Sequence, residues 1–488
     1  MPINVHNPSR LLESLCALPR ETGWVEFKEN RFNEDSVGQY VSSLANSAMF
    51  EGRDAAYLVF GVRDEDHKIV GTSVDLLGET VGNESFILWL NKYLDPHISV
   101  NVESFLYEDK RIEILCIDPA YRQPVKFKKI AHVRIGSSQQ PLSNYPERER
   151  ALWQITSRYS FEGSFLTEHL SDSEIDEMFG YSQLLRALGL KFEQRSASFH
   201  YMCEAQWMKA DLQGKYEITA LFAIAASLDL NKFQSLLDKG TRVLVYKGKD
   251  KLDAVMDTEG HRGHLVTFVS LLDKIMVNIP SKEQMVHGVR TKITDVPEIS
   301  VREFLANMLV HQDFTQTGIR PMVEIFKDKI RFTNPGEPLI SVDRFIDAPS
   351  KTRNPKFAKL MRDAGFCEQR GSGVDRAIRE IEKAALPPPL IESIEGSTVV
   401  TLFMPRKFAS MTGEERIRAC FQHACLGYEH GEPMSNASLR GRFGLSPKQY
   451  PQVSLVIKDA IEAGRIRPLT EDQGNRNARY VPFYAKDS

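Results

Sequence analysis

The sequence lacks several features that would quickly assign it to a class. Its six cysteines include no Cys-x-x-Cys pair, so we expect reduced thiols in a cytoplasmic protein rather than a disulfide framework or a common zinc motif. No apolar run reaches the ~18 residues of a membrane-spanning helix, and we see no charged-then-apolar targeting segment. The net charge of −3 gives no global attraction for nucleic acid, so such binding must come from local patches. We therefore expect no membrane partner.

What is present is an ordinary globular composition in a long chain. The 488 residues are 42% hydrophobic and 26% charged, which is enough for several hydrophobic cores. Changes of pattern along the chain predict a multidomain α+β protein. The expected domains are an N-terminal α+β domain at 1–155, a middle α/β region at 156–280, an α/β sandwich at 281–407 and a winged helix at 408–488.

The most informative stretch is residues 21–71. Residues 25–28 alternate apolar and charged side chains, as a half-buried strand does. Apolar residues recur at helical spacing over 37–48. Residues 55–60 form a continuous apolar run that is followed by Gly61 and Val62, which is the pattern of a central strand. The pattern predicts a strand, a helix, a second strand and a tight turn.

Three carboxylates, Glu21, Glu26 and Asp64, then lie near the ends of adjacent strands. Glu26 and Lys28 are two residues apart and project from the same strand face. Carboxylates hold Mg²⁺ or Mn²⁺ through hard oxygen ligands. The metal would polarise a phosphate and generate hydroxide, while the lysine stabilises developing charge. The pattern fits a metal-dependent phosphodiesterase, and the alternative is that these acids are solvated strand ends and a turn.

A basic stretch without a single acid runs from Asp118 to Glu147. Apolar residues alternate with its charges, so we expect the cations to share one strand face as a phosphate-tracking surface. The alternative is an ordinary solvated face. The glycine and serines at 136–138 add donors suited to a phosphate. The expected nucleic-acid-binding residues here are Lys126, Lys128, Lys129, Arg134 and Ser137.

Residues 297–405 carry a second candidate site. Glu303, Asn307 and His311 are spaced four apart on one face of a predicted helix, with Ser300 as its expected N-cap. A glycine-rich turn at 370–373 precedes another helix, and the backbone N–H groups of such a turn can cradle phosphates. The expected nucleotide-binding residues are Glu303, Asn307, Asn334, Gly336, Gly371, Ser372 and Gly373.

The C-terminal residues 411–485 predict three helices and two strands that flank a polar tip, which is the pattern of a winged helix. A helix at 447–463 would enter the major groove of DNA. Exposed Arg440, Arg442 and Lys448 would contact phosphates. Winged helices also mediate protein contacts, and that alternative stays open.

The N-terminal stretch resembles the AlbA_2 ("divergent AAA") domain shared by bacterial ATP-binding regulators and animal Schlafen proteins. In Schlafen endoribonucleases two glutamates and an aspartate form a metal site that cuts tRNA. The resemblance implies these roles for Glu21, Glu26 and Asp64, although non-nuclease relatives share the pattern. The matching residues are Glu21-x4-Glu26-Phe27-Lys28, Leu44-Ala45-Asn46, Gly61-Val62-x-Asp64, Ile69-Val70-Gly71 and Val133-Arg134-Ile135-Gly136-Ser137-Ser138.

The helix, the strands and the glycine-rich turn predicted at 297–405 together resemble the degenerate GHKL-type ATPase domain. This domain is found downstream of AlbA-type domains in the same regulators. The resemblance implies that Glu303 activates water and that Asn307 binds the Mg²⁺ of ATP. Asn334-Pro335-Gly336 replaces the usual aspartate-x-glycine that reads adenine, so adenine specificity is in question. A GHKL-shaped scaffold without nucleotide is the alternative.

Two functions follow from these resemblances. The first is a metal-dependent, Schlafen-like endoribonuclease that cuts tRNA or other structured RNA, regulated by the GHKL-type module, with a role in phage defence. Because only one AlbA-type lobe is found, a homodimer or higher homo-oligomer is expected. The second is an ATP-responsive, DNA-binding transcriptional regulator without nuclease activity. A scaffold that only dimerises is the third option.

Overall fold

A computed structural model describes most of the chain, and two compact units divide it. The first unit comprises residues 1–239 and 261–263, and the second comprises 240–260 and 264–488. The described residues are 8–18, 22–121, 123–136, 138–158, 160–210, 214–286, 289–349, 351–368, 373–470, 474 and 478–486.

The first unit is a mixture of helices and short strands. Its helices are α1 (Pro8–Cys16), α2 (Glu34–Phe50), α3 (Phe86–Tyr93), α4 (Pro146–Arg158), α5 (Asp172–Met178), α6 (Tyr181–Ala187), α7 (Arg195–Glu204) and α8 (Ala220–Ala226). Its strands are β1 (Val25–Lys28), β2 (Ala56–Phe60), β3 (Thr80–Val81), β4 (Glu84–Ser85), β5 (Leu94–Asp95), β6 (Val100–Tyr107), β7 (Lys110–Ile117), β8 (Lys126–Phe127), β9 (Ile130–Ile135), β10 (Ser138–Pro141), β11 (Phe165–Leu170), β12 (Met208–Ala210) and β13 (Tyr216–Thr219).

The main sheet of this unit has the strand order β1-β2-β7-β6. Strands β1 and β2 are parallel, with Glu26 opposite Leu58, whereas β2, β7 and β6 are antiparallel neighbours. Every residue of β2 is buried, as its unbroken apolar run predicts for a central strand. The predicted strand, helix and strand at 25–62 are therefore present, and the carboxyl ends of β1 and β2 lie at the same edge.

Polar side chains on the buried face of α2 hold a second sheet, of order β10-β9-β8-β5. Asn46 donates to the carbonyls of Val125 and His132, each at 2.8 Å, and accepts from the Val125 N–H at 2.7 Å. Ser47 accepts from the Arg134 N–H at 3.0 Å. These bonds satisfy backbone groups that would otherwise be buried without partners, so the side chains of α2 hold the second sheet against the helix.

A third layer of the first unit follows α4. Strands β11, β13 and β12 form an antiparallel sheet, and α5 begins with a capping box between Ser171 and Glu174. Stacked rings of Phe179, Phe222 and Trp207 fill the core beside α8, with centroid separations of 4.8 and 5.9 Å.

The second unit contains the larger sheet. Its helices are α9 (His264–Asn278), α10 (Glu298–Val310), α11 (Pro355–Asp363), α12 (Gly373–Lys383), α13 (Gly413–Glu429), α14 (Asn436–Arg442) and α15 (Tyr450–Glu462). Its strands are β14 (Arg242–Tyr246), β15 (Ala254–Glu259), β16 (Ser281–Val286), β17 (Val289–Thr294), β18 (Met322–Ile325), β19 (Lys329–Pro335), β20 (Leu390–Ile394), β21 (Ser397–Phe403), β22 (Ile466–Pro468) and β23 (Tyr480–Pro482).

The order of the six-stranded sheet corrects one expected boundary. The order is β15-β14-β18-β19-β21-β20, and β14 runs parallel to β18. Strands β14 and β15 and helix α9 come from the region expected as a middle domain at 156–280, yet they belong to the second compact unit. The reason is that β18 needs a hydrogen-bonded neighbour on each side, and β14 supplies one of them.

The C-terminal region consists of α13, α14, α15, β22 and β23 around one core. Thr412 and Glu415 form a capping box at the start of α13. A 3-10 turn at Pro447–Gln449 precedes α15, which begins at Tyr450 because Pro451 is acceptable only in a first turn. Most of the expected wing tip lies outside the described residues, so the winged helix stays a prediction. The α+β multidomain class is confirmed.

Two further expectations concern the whole chain. All six cysteines are free thiols. Among the described residues, no helix has both the length and the apolar character needed to cross a membrane.

Candidate functional site

The three expected metal ligands do not form a described cluster. Glu26 is buried on β1, and its carboxylate pairs with the guanidinium of Arg134 and the ammonium of Lys28. Asp64 is exposed in the turn after β2, and Glu21 lies outside the described residues. No group of three His, Cys, Asp or Glu side chains that could hold a metal was found in the described part of the chain.

The pairing of Glu26 changes the expected role of Arg134. Only 3% of Arg134 is exposed, so its guanidinium cannot track a nucleic-acid backbone as the sequence suggested. The residue lies on β9 with its side chain turned inward to Glu26. A buried carboxylate needs a cation in the low-dielectric interior, and Arg134 and Lys28 supply it.

The other basic residues of this stretch do not share one strand face. Lys128 and Lys129 have positive φ angles of 47° and 71° and form the turn between β8 and β9. Both are exposed, and Lys126 on β8 is half-buried. Lys128 pairs with Asp35 and lies 5.1 Å from the Trp89 ring centroid. The exposed cations are therefore at a hairpin tip. Ser137 lies outside the described residues.

The second candidate site is a cleft in the second unit, with a cavity volume of about 160 Å³. One water needs only ~10–15 Å³ by such a measure, so the cleft has room for a ligand of many atoms. Glu303, Asn307 and His311 of the first helix expected in this region all line it. On the opposite side, Phe332 and Asn334 of β19 line the cleft.

Asn334 is the most informative residue of this cleft. Only 5% of the residue is exposed, and its Oδ1 atom has no hydrogen-bond partner within the described part of the chain. Thr398, directly opposite on β21, also lines the cleft but donates to the Gly336 carbonyl at 2.8 Å. An unpartnered buried acceptor in an open cleft is suited to a ligand donor, because buried polar groups are otherwise hydrogen-bonded.

The turn after Asn334 depends on glycine. Gly336 has φ +119°, which side chains rarely adopt, and a Cβ there would lie 3.3 Å from the Arg353 guanidinium carbon. Arg353 donates to the carbonyls of His311 at 3.2 Å and Glu337 at 2.7 Å. The arginine thereby ties the end of α10 to the loop at the mouth of the cleft.

The start of α12 approaches the helix on the other side of the cleft. A Cβ on Gly373 would lie 2.5 Å from Glu303 Oε2, so a larger residue there would have to displace the Glu303 carboxylate. Glu303 also accepts from Arg302 at 3.1 Å. Gly371 and Ser372 lie outside the described residues. Ser300 is not the N-cap as expected, because α10 begins at Glu298 and the Ser300 hydroxyl donates to the buried Ala377 carbonyl at 2.8 Å.

Two titratable groups in the cleft are held neutral. Burial and, to a smaller extent, the nearby Arg353 cation together lower the pKa of His311 to about 4. Burial raises the pKa of the Cys367 thiol to about 11, with Glu303 contributing. The cleft therefore offers a neutral imidazole and a protonated thiol near neutral pH.

The residues of the C-terminal region that were expected to contact phosphate differ in their exposure, as those of the AlbA-type region do. Lys448 is exposed and Arg440 is half-buried. Arg442 is buried, and its Nε lies 3.8 Å from Glu382 Oε1 on α12. Arg442 is therefore an internal residue and not a DNA contact, because its side chain extends into the region between α12 and α14.

Two regions of the chain match known protein families. Residues 21–143 match the family described as "Schlafen, AlbA_2". Residues 318–402 match the family described as "Putative ATP-dependent DNA helicase recG C-terminal", a GHKL-like domain. The chain carries an AlbA_2 domain and a GHKL-like domain. Glu303 and Asn307 lie upstream of the residues matched by the GHKL-like family, although they line the same cleft.

Two relatives are similar over different lengths. An uncharacterised ATP-binding protein of Ureaplasma parvum serovar 3 is 28% identical over 93 residues, which are 19% of this chain. The chain spans about a quarter of that relative's length (25%). The crystal structure of the DIP2311 protein from Corynebacterium diphtheriae has 18% identity and a TM-score of 0.41, covering 93% of this chain and 92% of that one.

Sequence reasoning missed residues that shape both sites. In the AlbA_2 domain, Asn46 was quoted only as part of a motif, yet it holds β8 and β9 against α2. In the GHKL-like domain, Arg353 was not singled out. An uncharged asparagine within an otherwise small and apolar helical run was the available signal for Asn46, whereas nothing local distinguishes Arg353 from a surface arginine.

Proposed function

We propose that the chain is an ATP-responsive protein that binds nucleic acid, with ATP bound in the GHKL-like cleft. The observation that carries this proposal is Asn334, a residue of the cleft lining whose buried Oδ1 has no hydrogen-bond partner within the described residues. The exocyclic amine of adenine is a donor of the required kind. The match of residues 318–402 to a GHKL-like family supports the same ligand.

The other cleft residues fit the remaining parts of a nucleotide. Asn307 offers an amide oxygen from α10, which is a ligand type that Mg²⁺ accepts. Glu303 is close to the start of α12, where helix N–H groups favour phosphate oxygens. In this proposal Glu303 orients or activates water, and a bound Mg²⁺ would neutralise phosphate charge.

Nucleic acid would be the target of the C-terminal region and of the hairpin tip in the AlbA_2 domain. Lys448 is exposed before α15, and Lys128 and Lys129 are exposed between β8 and β9. The net charge of −3 leaves these local cations as the candidates for phosphate contact. DNA for the C-terminal region, RNA for the AlbA_2 domain and a homo-oligomeric state are parts of the proposal.

The experiment measures nucleotide and nucleic-acid binding on the same protein. Purified full-length chain is titrated with MgATP and MgGTP by calorimetry, and duplex DNA and tRNA are tested by gel shift with and without ATP. Saturable ATP binding that changes a gel shift supports the proposal. The proposal is contradicted if no ATP binding is detected at millimolar concentration. It is also contradicted if the gel shifts are the same with and without ATP.

A second candidate, metal-dependent RNA cleavage with a role in phage defence, rests on the AlbA_2 domain. The matched residues 21–143 include Glu21, Glu26 and Asp64. Glu26 lies on β1 opposite Leu58 of β2, and Asp64 lies in the turn after β2. This function requires Mg²⁺ or Mn²⁺ to compete with Arg134 and Lys28 for Glu26. Incubation of tRNA with the protein and Mn²⁺ tests it, and cleavage that survives Glu26→Gln would exclude the proposed site.

A further inference from the structure

The cleft and the C-terminal core share a piece of backbone, which we call the bridging segment (residues 341–348). Phe345 and Ala348 of this segment line the cleft. Ile346, between them, packs against the hydrophobic core of the C-terminal helices. Because consecutive residues contact opposite sides, a ligand that moves this wall of the cleft also moves contacts with the C-terminal core.

Charged groups anchor the bridging segment to the end of α15. Asp343 accepts two hydrogen bonds from the Arg465 guanidinium, with Nη1 and Oδ2 separated by 3.0 Å. Arg465 lies directly between Gly464 at the end of α15 and the first residue of β22. Its guanidinium also stacks 4.6 Å from the Phe421 ring centroid on α13. A bidentate pair fixes orientation as well as distance, so Asp343 positions the end of α15.

Helix α12 makes a second connection between the same two regions. Gly373 and Val374, at its start, line the cleft. At its other end Glu382 lies 2.9 Å from His423 Nδ1 on α13 and 3.8 Å from the buried Arg442 of α14. An 11-residue helix is a rigid rod about 15 Å long. Displacement at its start is therefore transmitted to its end.

We propose that the bridging segment and α12 couple occupancy of the cleft to the position of α14 and α15. This inference rests on the proposed function, because it names the regulation of the same nucleotide site. Asp343 and Arg465 do not line the cleft. They can therefore influence a bound ligand only through the bridging segment. Coupling of this kind is reciprocal: a change at Arg465 must alter the cleft, and a ligand in the cleft must alter α15.

The first experiment needs no ligand. Hydrogen–deuterium exchange is measured across residues 337–348 in the full chain, in Arg465→Ala and in Lys458→Ala. Lys458 is the matched control, because it is a cation of α15 that pairs only with Glu462 of its own helix in the described contacts. Relative to the unmodified chain, we expect residues 337–348 to exchange several-fold faster in Arg465→Ala. We expect their exchange to be unchanged in Lys458→Ala. The exchanged pair Asp343→Arg with Arg465→Asp should restore protection.

Unchanged exchange of residues 337–348 in Arg465→Ala would overturn the connection. Equal acceleration in Lys458→Ala would do the same, since it would indicate general loosening. Restoration by the exchanged pair separates loss of the ion pair from misfolding, because that protein regains the ion pair although both positions are substituted.

The second experiment adds MgATP. In the unmodified chain we expect ATP to change exchange in α15, and in Asp343→Asn we expect this response to disappear with a change in ATP affinity of about fivefold. ATP that binds without any response in α15 would overturn the coupling and leave nucleotide binding standing. If ATP does not bind, nucleotide regulation fails with the proposed function, while the first experiment still decides whether the two regions are connected.

Discussion

The two candidate sites differ in whether a buried polar group is held by opposite charges within the protein. In the AlbA_2 domain, Glu26 is already paired with Arg134 and Lys28. In the GHKL-like cleft, Asn334 Oδ1 is buried without a described partner. A group that the protein satisfies stabilises the fold and must lose its partner before it binds a ligand. A group left unsatisfied costs stability in the free protein and gains from the ligand.

The largest expected effect comes from removing the partner of Glu26. Arg134→Met should destabilise the first unit by about 3–5 kcal/mol, because it leaves a buried carboxylate without its main cation. Thermal unfolding, together with hydrogen exchange of α2 and β9, measures the loss. If the pair is structural, no divalent ion replaces the arginine.

The control for this prediction removes both charges. Glu26→Leu combined with Arg134→Met should be far more stable than Arg134→Met alone, since neither buried charge remains from the pair. Full stability of Arg134→Met in the presence of Mn²⁺, but not in its absence, would contradict the comparison and favour a metal at Glu26.

The next effect concerns the pH dependence of stability in the second unit. Burial lowers the pKa of both His264 and His311 to about 4, against an ordinary value of 6.5. Between pH 6.5 and 4 the unfolded chain binds protons that the folded unit does not, so stability falls as pH falls. From pH 7 to 5 we expect a loss of about 2 kcal/mol for each histidine.

Hydrogen exchange of α10, corrected for intrinsic rates, measures this loss. His311→Gln should flatten the pH dependence of α10 by about half, because one of the two neutral histidines no longer titrates. A slope that is unchanged by His311→Gln would show that His311 is not held neutral by burial.

The fold was largely predictable because its elements have strong local patterns. The alternation at 25–28 and the apolar run from residue 55 predicted two strands, and the structure has β1 at 25–28 and β2 at 56–60. The joining of β14 to β18 was not predictable, because pairing between strands 80 residues apart leaves no local pattern. The boundary expected near residue 280 was wrong for that reason.

The sites were predictable in their residue types but not in their exposure. Arg134 and Lys129 are both basic residues of one hairpin, yet one is buried against Glu26 and the other is exposed at the turn. Arg442 and Lys448 differ in the same way. Burial of a long cation depends on a carboxylate from a distant element, such as Glu382 for Arg442, and sequence spacing does not show that partner.

The comparison of satisfied and unsatisfied groups can be sharpened with two buried asparagines of the second unit. Asn334 is 5% exposed with an unpartnered oxygen, whereas Asn354 is 4% exposed and donates to the Val310 and Gln312 carbonyls at 2.9 and 2.7 Å. Asn334→Ala should weaken ATP binding about tenfold and hardly change stability. Asn354→Ala should cost about 2 kcal/mol of stability.

Calorimetric titration with MgATP and urea unfolding of both variants provide the two readouts. The interpretation of the cleft fails if Asn334→Ala binds ATP as the unmodified chain does. It also fails if Asn334→Ala loses as much stability as Asn354→Ala, because its side chain would then be satisfied within the protein.

The smallest expected effect separates paired from unpaired cations at the AlbA_2 hairpin tip. Lys128 is held by Asp35 and by the Trp89 ring, while Lys129 has no ion pair among the described residues. Lys129→Ala should lower tRNA affinity a few-fold and reduce the slope of log affinity against log salt by about 1. Lys128→Ala should change the slope less, because Asp35 already neutralises that charge in the free protein. Filter binding at several salt concentrations measures both slopes.

A larger slope change for Lys128→Ala than for Lys129→Ala would mean that the ion pair between Lys128 and Asp35 opens on binding. The contrast between groups that are paired within the protein and groups that are free to bind a ligand would then not extend to this surface.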